Sequence, residues 1–395
     1  MSKRRIAVIV AACFFCELTA VGVGAGTNSL YTAPICEDLG ISRTVYSVST
    51  SLMYLVNMIA YFSFPFLLCR IPIRGIFAIG FVAEAMAFIL YSFSKDVMML
   101  YSASSLLGAG LVFLGAVPIT AVISSWFPNR QGTMLGVVFA GSGIGGALLI
   151  PAVGSLMQYF NWRIAFLFSA ALVGVSAIFC VTFVQKNNQK ETANAALQKG
   201  SLGSFLQMRG AKALLVYGFL VGFSIQPTYL SIAAHLSADG ITTQKASQVL
   251  GIICLVSLVI KVVLGAISDR FGPISVLLIS HGAFFLVEIL LVFFTKELFL
   301  IELCFGIGCT PLSLVLPIVA RWLFQEKSGQ ALSLSMATQT AGIALGILLT
   351  GWMFDTFGGY EESFLMLAVV NVVGLVCLGW GCGPRLWKKR VISET

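Results

Sequence analysis

Leu255–Gly272 reads LVSLVIKVVLGAISDRFG, a long apolar run that holds one lysine and ends in a short charged stretch. Lys261 stands in a segment otherwise suited to lipid. A charge is expensive there, so such a residue is expected to face a protein-lined cavity and to serve a function. After it, Gly265, Asp269, Arg270 and Gly272 are spaced as a charged turn between two apolar segments.

The same texture extends over the whole chain. Of 395 residues, 58% are hydrophobic and only 10% charged, which excludes an ordinary soluble globular balance. Apolar runs of about 20 residues, each long enough to cross a roughly 30 Å hydrocarbon core as a helix, recur twelve times. They lie near 6–28, 44–69, 75–93, 97–124, 133–157, 162–184, 212–235, 246–267, 273–294, 298–322, 330–353 and 363–383. The first follows MSKRR as a secretory signal would, but it is long, carries Glu17 and is followed by further spans, so it is expected to stay in the protein. The fold class expected is therefore all-α integral membrane, with twelve transmembrane helices.

Lys and Arg set the orientation, because short cytoplasmic loops carry their excess. One set of loops and tails, including Lys3, Arg70, Arg130, Arg209, Arg270 and Arg390, holds 18 of the 24 basic residues; the other holds Arg43, Lys95, Arg163, Lys245 and Lys296. Both termini and the central loop are thus expected in the cytoplasm. The net charge of +8 reads as topology, and no nucleic-acid partner is expected. The ten cysteines are scattered through the spans, and Cys13 and Cys16 have no second pair at zinc-site spacing, so neither metal nor cofactor is expected. Short loops without an Asn-x-Ser/Thr sequon lean toward a bacterial inner membrane. His235 and Asp239 have no nucleophile beside them in sequence, so an enzyme is not expected.

The chain repeats itself. Gly40-Ile41 returns at Gly240-Ile241, Arg70 at Arg270, Trp126 at Trp322, Gly154 at Gly351 and Phe166 at Phe364. Two pseudo-symmetric six-helix halves in parallel orientation account for that order. Their expected bounds are 1–184 and 211–384, joined by a polar cytoplasmic linker at 185–210 and followed by a basic tail at 385–395 that lies against membrane lipid.

Within the spans, polar residues mark a cavity. Thr50, Tyr54, Asn57 and Tyr61 share one face of the second span. Cys254, Ser257, Lys261, Gly265 and Ser268 share a face of the eighth. The first span is expected to break before Pro34, with Asn28 and Tyr31 near its end. Gln226, Pro227 and Tyr229 are expected to break and line the seventh span, and Thr338, Gln339 and Thr340 lie inside the eleventh. Glu17 sits midway along the first span and reads as a proton carrier or as the counter-ion of Lys261. Glu84 and Glu288 read as held by internal hydrogen bonding or helix packing rather than as a proton relay, and His281 as a packed histidine.

The turn Gly265-Ala-Ile-Ser-Asp269-Arg270-Phe-Gly272 resembles the loop signature of the major facilitator superfamily, a group of secondary transporters. The resemblance implies that these residues help to latch the cytoplasmic side. The copy in the first half keeps only Arg70, with Pro65, Cys69 and Pro72 at the other signature positions. The stretch Trp126-Phe127-Pro-Asn-Arg130-Gln-Gly132, followed by the small-residue run Ala140 to Gly146, is similar to the oxalate/formate antiporter and monocarboxylate transporter groups. In those groups an arginine stands four residues before a glycine and eight before the loop aspartate, and it takes the substrate carboxylate. Lys261 matches both spacings, with Lys in place of Arg.

The implied function is secondary transport of a small organic anion by alternating access, coupled to protons or to a counter-anion, in a monomer. Substrate contacts are expected from Lys261, Asn28, Tyr31, Tyr54, Asn57, Gln226, Tyr229, Ser257 and Gln339, proton coupling from Glu17, and gating from Arg70, Arg130, Gly265, Asp269, Arg270 and Gly272. Two alternatives stay open: a proton-driven exporter of lipophilic or cationic compounds centred on Glu17, and a transporter-like membrane sensor.

Overall fold

A computed structural model of the chain describes residues 3–127, 131–184, 205–324 and 327–386. Arg130, most of the expected linker and nearly all of the expected tail lie outside the described residues. Twelve helical spans are long and apolar enough to cross a membrane. In chain order, α1 runs Lys3–Cys16, is π-wound over Glu17–Ala25 and resumes as Asn28–Leu39; α2 is Arg43–Arg70 and α3 Ile73–Ser92. Next come α4 in two pieces, Val97–Leu114 and Ala116–Trp126, α5 Gln131–Tyr159 and α6 Trp162–Phe183. The last six are α7 Ala211–Ala238, α8 Thr243–Phe271, α9 Pro273–Phe293, α10, α11 Ser328–Phe357 and α12 Glu361–Leu386. α10 is Leu298–Gly308, a π-wound Pro311–Val315 and Leu316–Phe324.

Starts and stops follow local chemistry. Ser42, Asp96, Asn161 and Thr242 cap α2, α4, α6 and α8 by accepting a hydrogen bond from the backbone N–H three residues on. Gly40, Gly240 and Gly358 turn the chain at positive φ. Three sequence expectations need correction. α1 runs through Pro34 and bends instead at Gly26 and Thr27, where the π-wound segment ends. α7 is continuous with Pro227 inside it. The Gly265–Arg270 stretch forms the last turns of α8 rather than a loop, because the reversal needs only Gly272 at φ 86° followed by Pro273 at the start of α9.

The spans form two pseudo-symmetric six-helix halves. In the first, α3 packs on α4 and α6, and α5 on α1; in the second, α9 packs on α10 and α12, and α11 on α7. Small residues bring backbones together in both. A Cβ added at Gly22 would lie 2.9 Å from Gly145 Cα, and ones at Gly141 and Gly145 would strike the Phe14 and Leu18 carbonyls of α1. Gly342 and Gly346 meet the Phe219 and Phe223 carbonyls of α7 in the same manner. Close approach at small residues is how membrane helices associate where hydrocarbon supplies no hydrophobic drive.

Between the halves α2 meets α11 and α5 meets α8. At the face remote from the start of α1, Arg43 donates to the Tyr360 hydroxyl at 2.9 Å and lies 4.1 Å from the Phe354 ring centroid. Burial pushes the Tyr360 phenol above its ordinary range, while Arg43 pulls it back. The backbone N–H of Thr44 donates to Asp355 at 3.1 Å, and its hydroxyl donates to the same carboxylate. Ser51 donates to the Ala344 carbonyl at 2.8 Å further along the same pair. Beneath this latch lies a cavity of about 30 Å³, lined by Asn28, Thr50, Ser231, Thr350 and neighbours. That is room for about one water.

The other face is open between α5 and α8. A Cβ at Gly154 would meet Ser247 at 2.8 Å and one at Gly143 would meet Leu258 at 2.9 Å, whereas one at Gly136 or Gly265 meets nothing within 4 Å. The two helices touch over their latched half and diverge beyond Leu258.

Two outcomes follow. Gly145→Val wedges α5 off α1; overpacking of this kind costs ~1–3 kcal/mol, and a lowered melting temperature in detergent should report it. Asp355→Ala removes charge-assisted hydrogen bonds worth about 1.5 kcal/mol at the low end, roughly a tenfold shift in population. A cysteine placed at Ser231 should then react with an impermeant maleimide about tenfold faster from the latched side.

Candidate functional site

The π-wound start of α1 decides where Glu17 points. Hydrogen bonds from i to i+5 turn the helix less per residue than α winding does, so side chains fall out of the usual register. Glu17, 4% exposed, faces the space between the halves, and the charge of Lys261 on α8 is within electrostatic range of it. Among the described residues the two form no ion pair within 4 Å, and neither side chain has a hydrogen-bond partner. Lys261 is half-buried, ten residues before the end of α8 and so ~15 Å along the helix from that end. Its place between Leu258 and Gly265 is the point where α8 diverges from α5.

Around this pair the halves contribute unlike groups. Cys254 of α8 and Cys309, at the break in α10, both feel the Lys261 charge, and Ser257 lies beside Cys309. Tyr61 of α2 lies within range of Glu17. Tyr54 faces Gln226 of α7 and lies near Tyr229, whose hydroxyl donates to the Gly26 carbonyl at 3.1 Å across the halves. The bend in α1 frees that carbonyl. Asn57 is buried with its Oδ1 unpartnered.

Lys261, Glu17, Tyr54, Gln226, Tyr229 and Ser257 thus gather in one region. The other expected contacts do not all join them. Tyr31 is fully buried in the first half, stacked on Phe166 at 3.9 Å, because the resumed α1 turns it toward α6. Asn28 lines the small cavity under the latch, its Nδ2 3.7 Å from the Met53 sulfur. Gln339 donates to the Leu312 carbonyl at 3.2 Å and joins α11 to α10. Among the gating candidates, Arg70 ends α2 exposed, Arg270 is exposed with its guanidinium 5.3 Å from the Phe271 centroid, and Gly265 lies on the open stretch of α8. Asp269 occupies the last turn of α8 and Gly272 makes the reversal.

Sequence reasoning passed over Cys254 and Cys309 as apolar fillers. Helical spacing did place Cys254 on the face of Lys261, whereas nothing local marks Cys309. It missed the Arg43, Thr44, Asp355 and Tyr360 latch altogether, since those partners stand more than 300 positions apart. His281 is packed as expected, hydrogen-bonded to Tyr217 at 2.9 Å and to Asn371. Beside Phe14, one turn before Glu17, an apolar crevice of about 480 Å³ opens between α1 and α5.

The family model of the Major Facilitator Superfamily matches residues 10–316. Monocarboxylate transporter 11 of Homo sapiens is 25% identical over 347 residues, covering 82% of this chain and 73% of its own. The uncharacterized MFS-type transporter YcxA of Bacillus subtilis is 24% identical over 387 residues, with 91% of each chain covered. Among solved structures, a bacterial homolog of the human lysosomal transporter Spinster, in an inward-facing and unoccupied conformation, superposes with a TM-score of 0.76 at 13% identity, covering 98% of this chain and 99% of that one. With its twelve spans, two pseudo-symmetric halves and a family match over most of its length, the chain belongs to the major facilitator superfamily of membrane transporters.

Proposed function

We propose that this transporter carries a small organic monocarboxylate, or a similar singly charged anion, by alternating access, with protons or in exchange for another anion. The observation that carries the reading is Lys261: a half-buried ammonium, without an ion pair, at the fork where α5 and α8 diverge. A buried charge without a partner costs several kcal/mol, and a bound carboxylate supplies the partner. One cation suits one negative charge. A compact ammonium also does not offer the two-pronged contact that guanidinium gives a planar dicarboxylate.

Tyr54, Gln226, Tyr229 and Ser257 orient the rest of the substrate, and Glu17 carries the proton. An anion at Lys261 takes up the field of the cation, which favours the neutral carboxyl at Glu17. Anion and proton therefore load together, which is the sign required for symport. The bodies that rock are 1–184 and 211–384, in a bacterial inner membrane with both termini cytoplasmic, as a monomer. The open fork then faces the cytoplasm. Closing it brings Gly136 and Gly265 together, with Arg70, Asp269, Arg270 and Gly272 at that rim. The monocarboxylate transporters among the relatives support the substrate class.

A second reading, export of lipophilic cations by Glu17, draws on the apolar crevice beside Phe14. Thermal stability of the purified protein against small monocarboxylates and lipophilic cations separates the two. A ligand of the folded state at ~100 times its Kd adds about 2.7 kcal/mol. A monocarboxylate should raise the melting temperature of wild type and leave Lys261→Met unmoved, while unliganded Lys261→Met melts no lower than wild type because a lone buried charge is gone. Stabilisation by lipophilic cations alone, equal in both proteins, overturns the anion reading.

A further inference from the structure

Glu84 of α3 and Glu288 of α9 are both fully buried, and each faces the first helix of its own half. Glu288 accepts a hydrogen bond from the Thr228 hydroxyl of α7 at 2.7 Å. Glu84 meets Gly24 of α1, where an added Cβ would lie 2.6 Å from its Oε1 and 2.8 Å from Leu111 of α4. The two arrangements are copies, since 24 to 228 and 84 to 288 are the same offset of 204 positions. Only the second copy has a partner, and at one of its two oxygens. Neither oxygen of Glu84 has a hydrogen-bond partner.

We propose that Glu84, seated in the notch that Gly24 leaves in the π-wound segment of α1, is a proton-binding site of this transporter, occupied while the latched face is closed. A bare carboxylate in that position costs far more than a neutral acid, so the side chain binds a proton rather than stay charged. α3 packs mainly against α4 and α6, with lesser contacts to the π-wound segment of α1 and to α2. From these, the titratable group in electrostatic range of Glu84 is Cys16 of α1, and no Lys, Arg or His side chain is in range among the described residues. Loss of the proton thus leaves a charge that only water or a shift of α1 can accommodate.

The winding of α1 ties this site to Glu17. In an α-helix, residues seven apart share a face. With roughly 80° per residue instead of 100°, they fall on opposite sides. That matches Glu17 facing Lys261 while Gly24 faces Glu84. Movement of the π-wound segment re-aims both positions together, so deprotonation of Glu84 favours release of the latched face. This rests on the proton coupling proposed above, but the site itself is testable without substrate.

Infrared spectra of the full chain in lipid bilayers, recorded in a Glu17→Gln background so that Glu17 adds no band, should include two protonated carboxyl C=O bands at neutral pH. The one without a hydrogen bond, at higher frequency, should vanish in Glu84→Gln and shift in Glu84→Asp; the lower should vanish in Glu288→Gln. Absence of the upper band from the Glu17→Gln background, or its survival when Glu84→Gln is added, overturns the site. The link to the latch is read with the cysteine at Ser231 and an impermeant maleimide from the latched side. Labelling, divided at each pH by that of a reference cysteine at an exposed position to remove the rise in thiolate fraction, should increase about fivefold or more between mildly acidic and alkaline pH with Glu84 present, and stay flat in Glu84→Gln, which mimics the protonated acid. An equal rise in both refutes the link to the latch. Failure of monocarboxylates to stabilise the protein would refute the anion reading and leave both of these results standing.

Discussion

A single ammonium in a hydrocarbon environment constrains much of the site. Lys261 has no ion pair, so its position must satisfy two demands at once: enough polar surroundings to tolerate the charge, and no partner that neutralises it permanently. Glu17 meets both by standing in electrostatic range without touching. The π-wound segment sets that spacing, since it aims Glu17 across the halves while leaving Gly24 against α3. The same segment ends in the bend at Gly26, whose freed carbonyl takes the Tyr229 hydroxyl from the other half. A departure from regular winding is tolerated at membrane depth only where protein lines it, and both halves line this one.

Mobility comes from glycine. α5 carries two rows of small residues on different sides: Gly141 and Gly145 admit the backbone of α1, whereas Gly143, Gly146 and Gly154 admit α8 of the other half. The first row binds a helix within its own half and the second forms a contact between halves. Smooth backbone surfaces can slide or separate without dragging interlocked side chains, and α5 and α8 have separated at Gly136 and Gly265. On the latched side the contacts are of another kind, with an arginine, a carboxylate and two aromatic rings holding α2 to α11 and the turn after it. In the proposed cycle, polar latch and glycine bearing divide the work.

Much of the fold was legible in the sequence because the bilayer imposes it. Span length and hydropathy are one-dimensional signals, and the repeat linking Gly40 with Gly240 and Arg70 with Arg270 survives as spacing. Lys261 and Glu17 were legible for the same reason, since a charge inside an apolar run is conspicuous. What escaped depends on winding or on distance along the chain. A π-wound segment has no distinctive composition, so a break was expected near Pro34 when the helix bends eight residues earlier. Side-chain direction follows winding, which is why Tyr31 turned out to pack on Phe166 and not in the shared space. The latch joins residues more than 300 positions apart, and no local pattern announces it.

The repeat also explains how a symmetric frame holds an asymmetric site. In the register that pairs Arg70 with Arg270, the counterpart of Lys261 is Tyr61, and both lie in range of Glu17. One half thus offers a cation and the other a phenol at the same depth. α7 likewise has Thr228 where α1 has Gly24, so one buried acid is held by a hydroxyl and the other is left bare. Each difference is a single substitution on a shared geometry. Together they place the cation in one half, and Glu17 and the unpartnered Glu84 in the other. In the proposed alternating-access cycle, a substrate that bridges Lys261 to the first half crosses the plane along which the halves would rock, and its charge is felt by both bodies. That is the physical requirement for coupling binding to alternation: the ligand has to interact differently with the two arrangements of the halves, and a site built wholly within one half would interact equally with both.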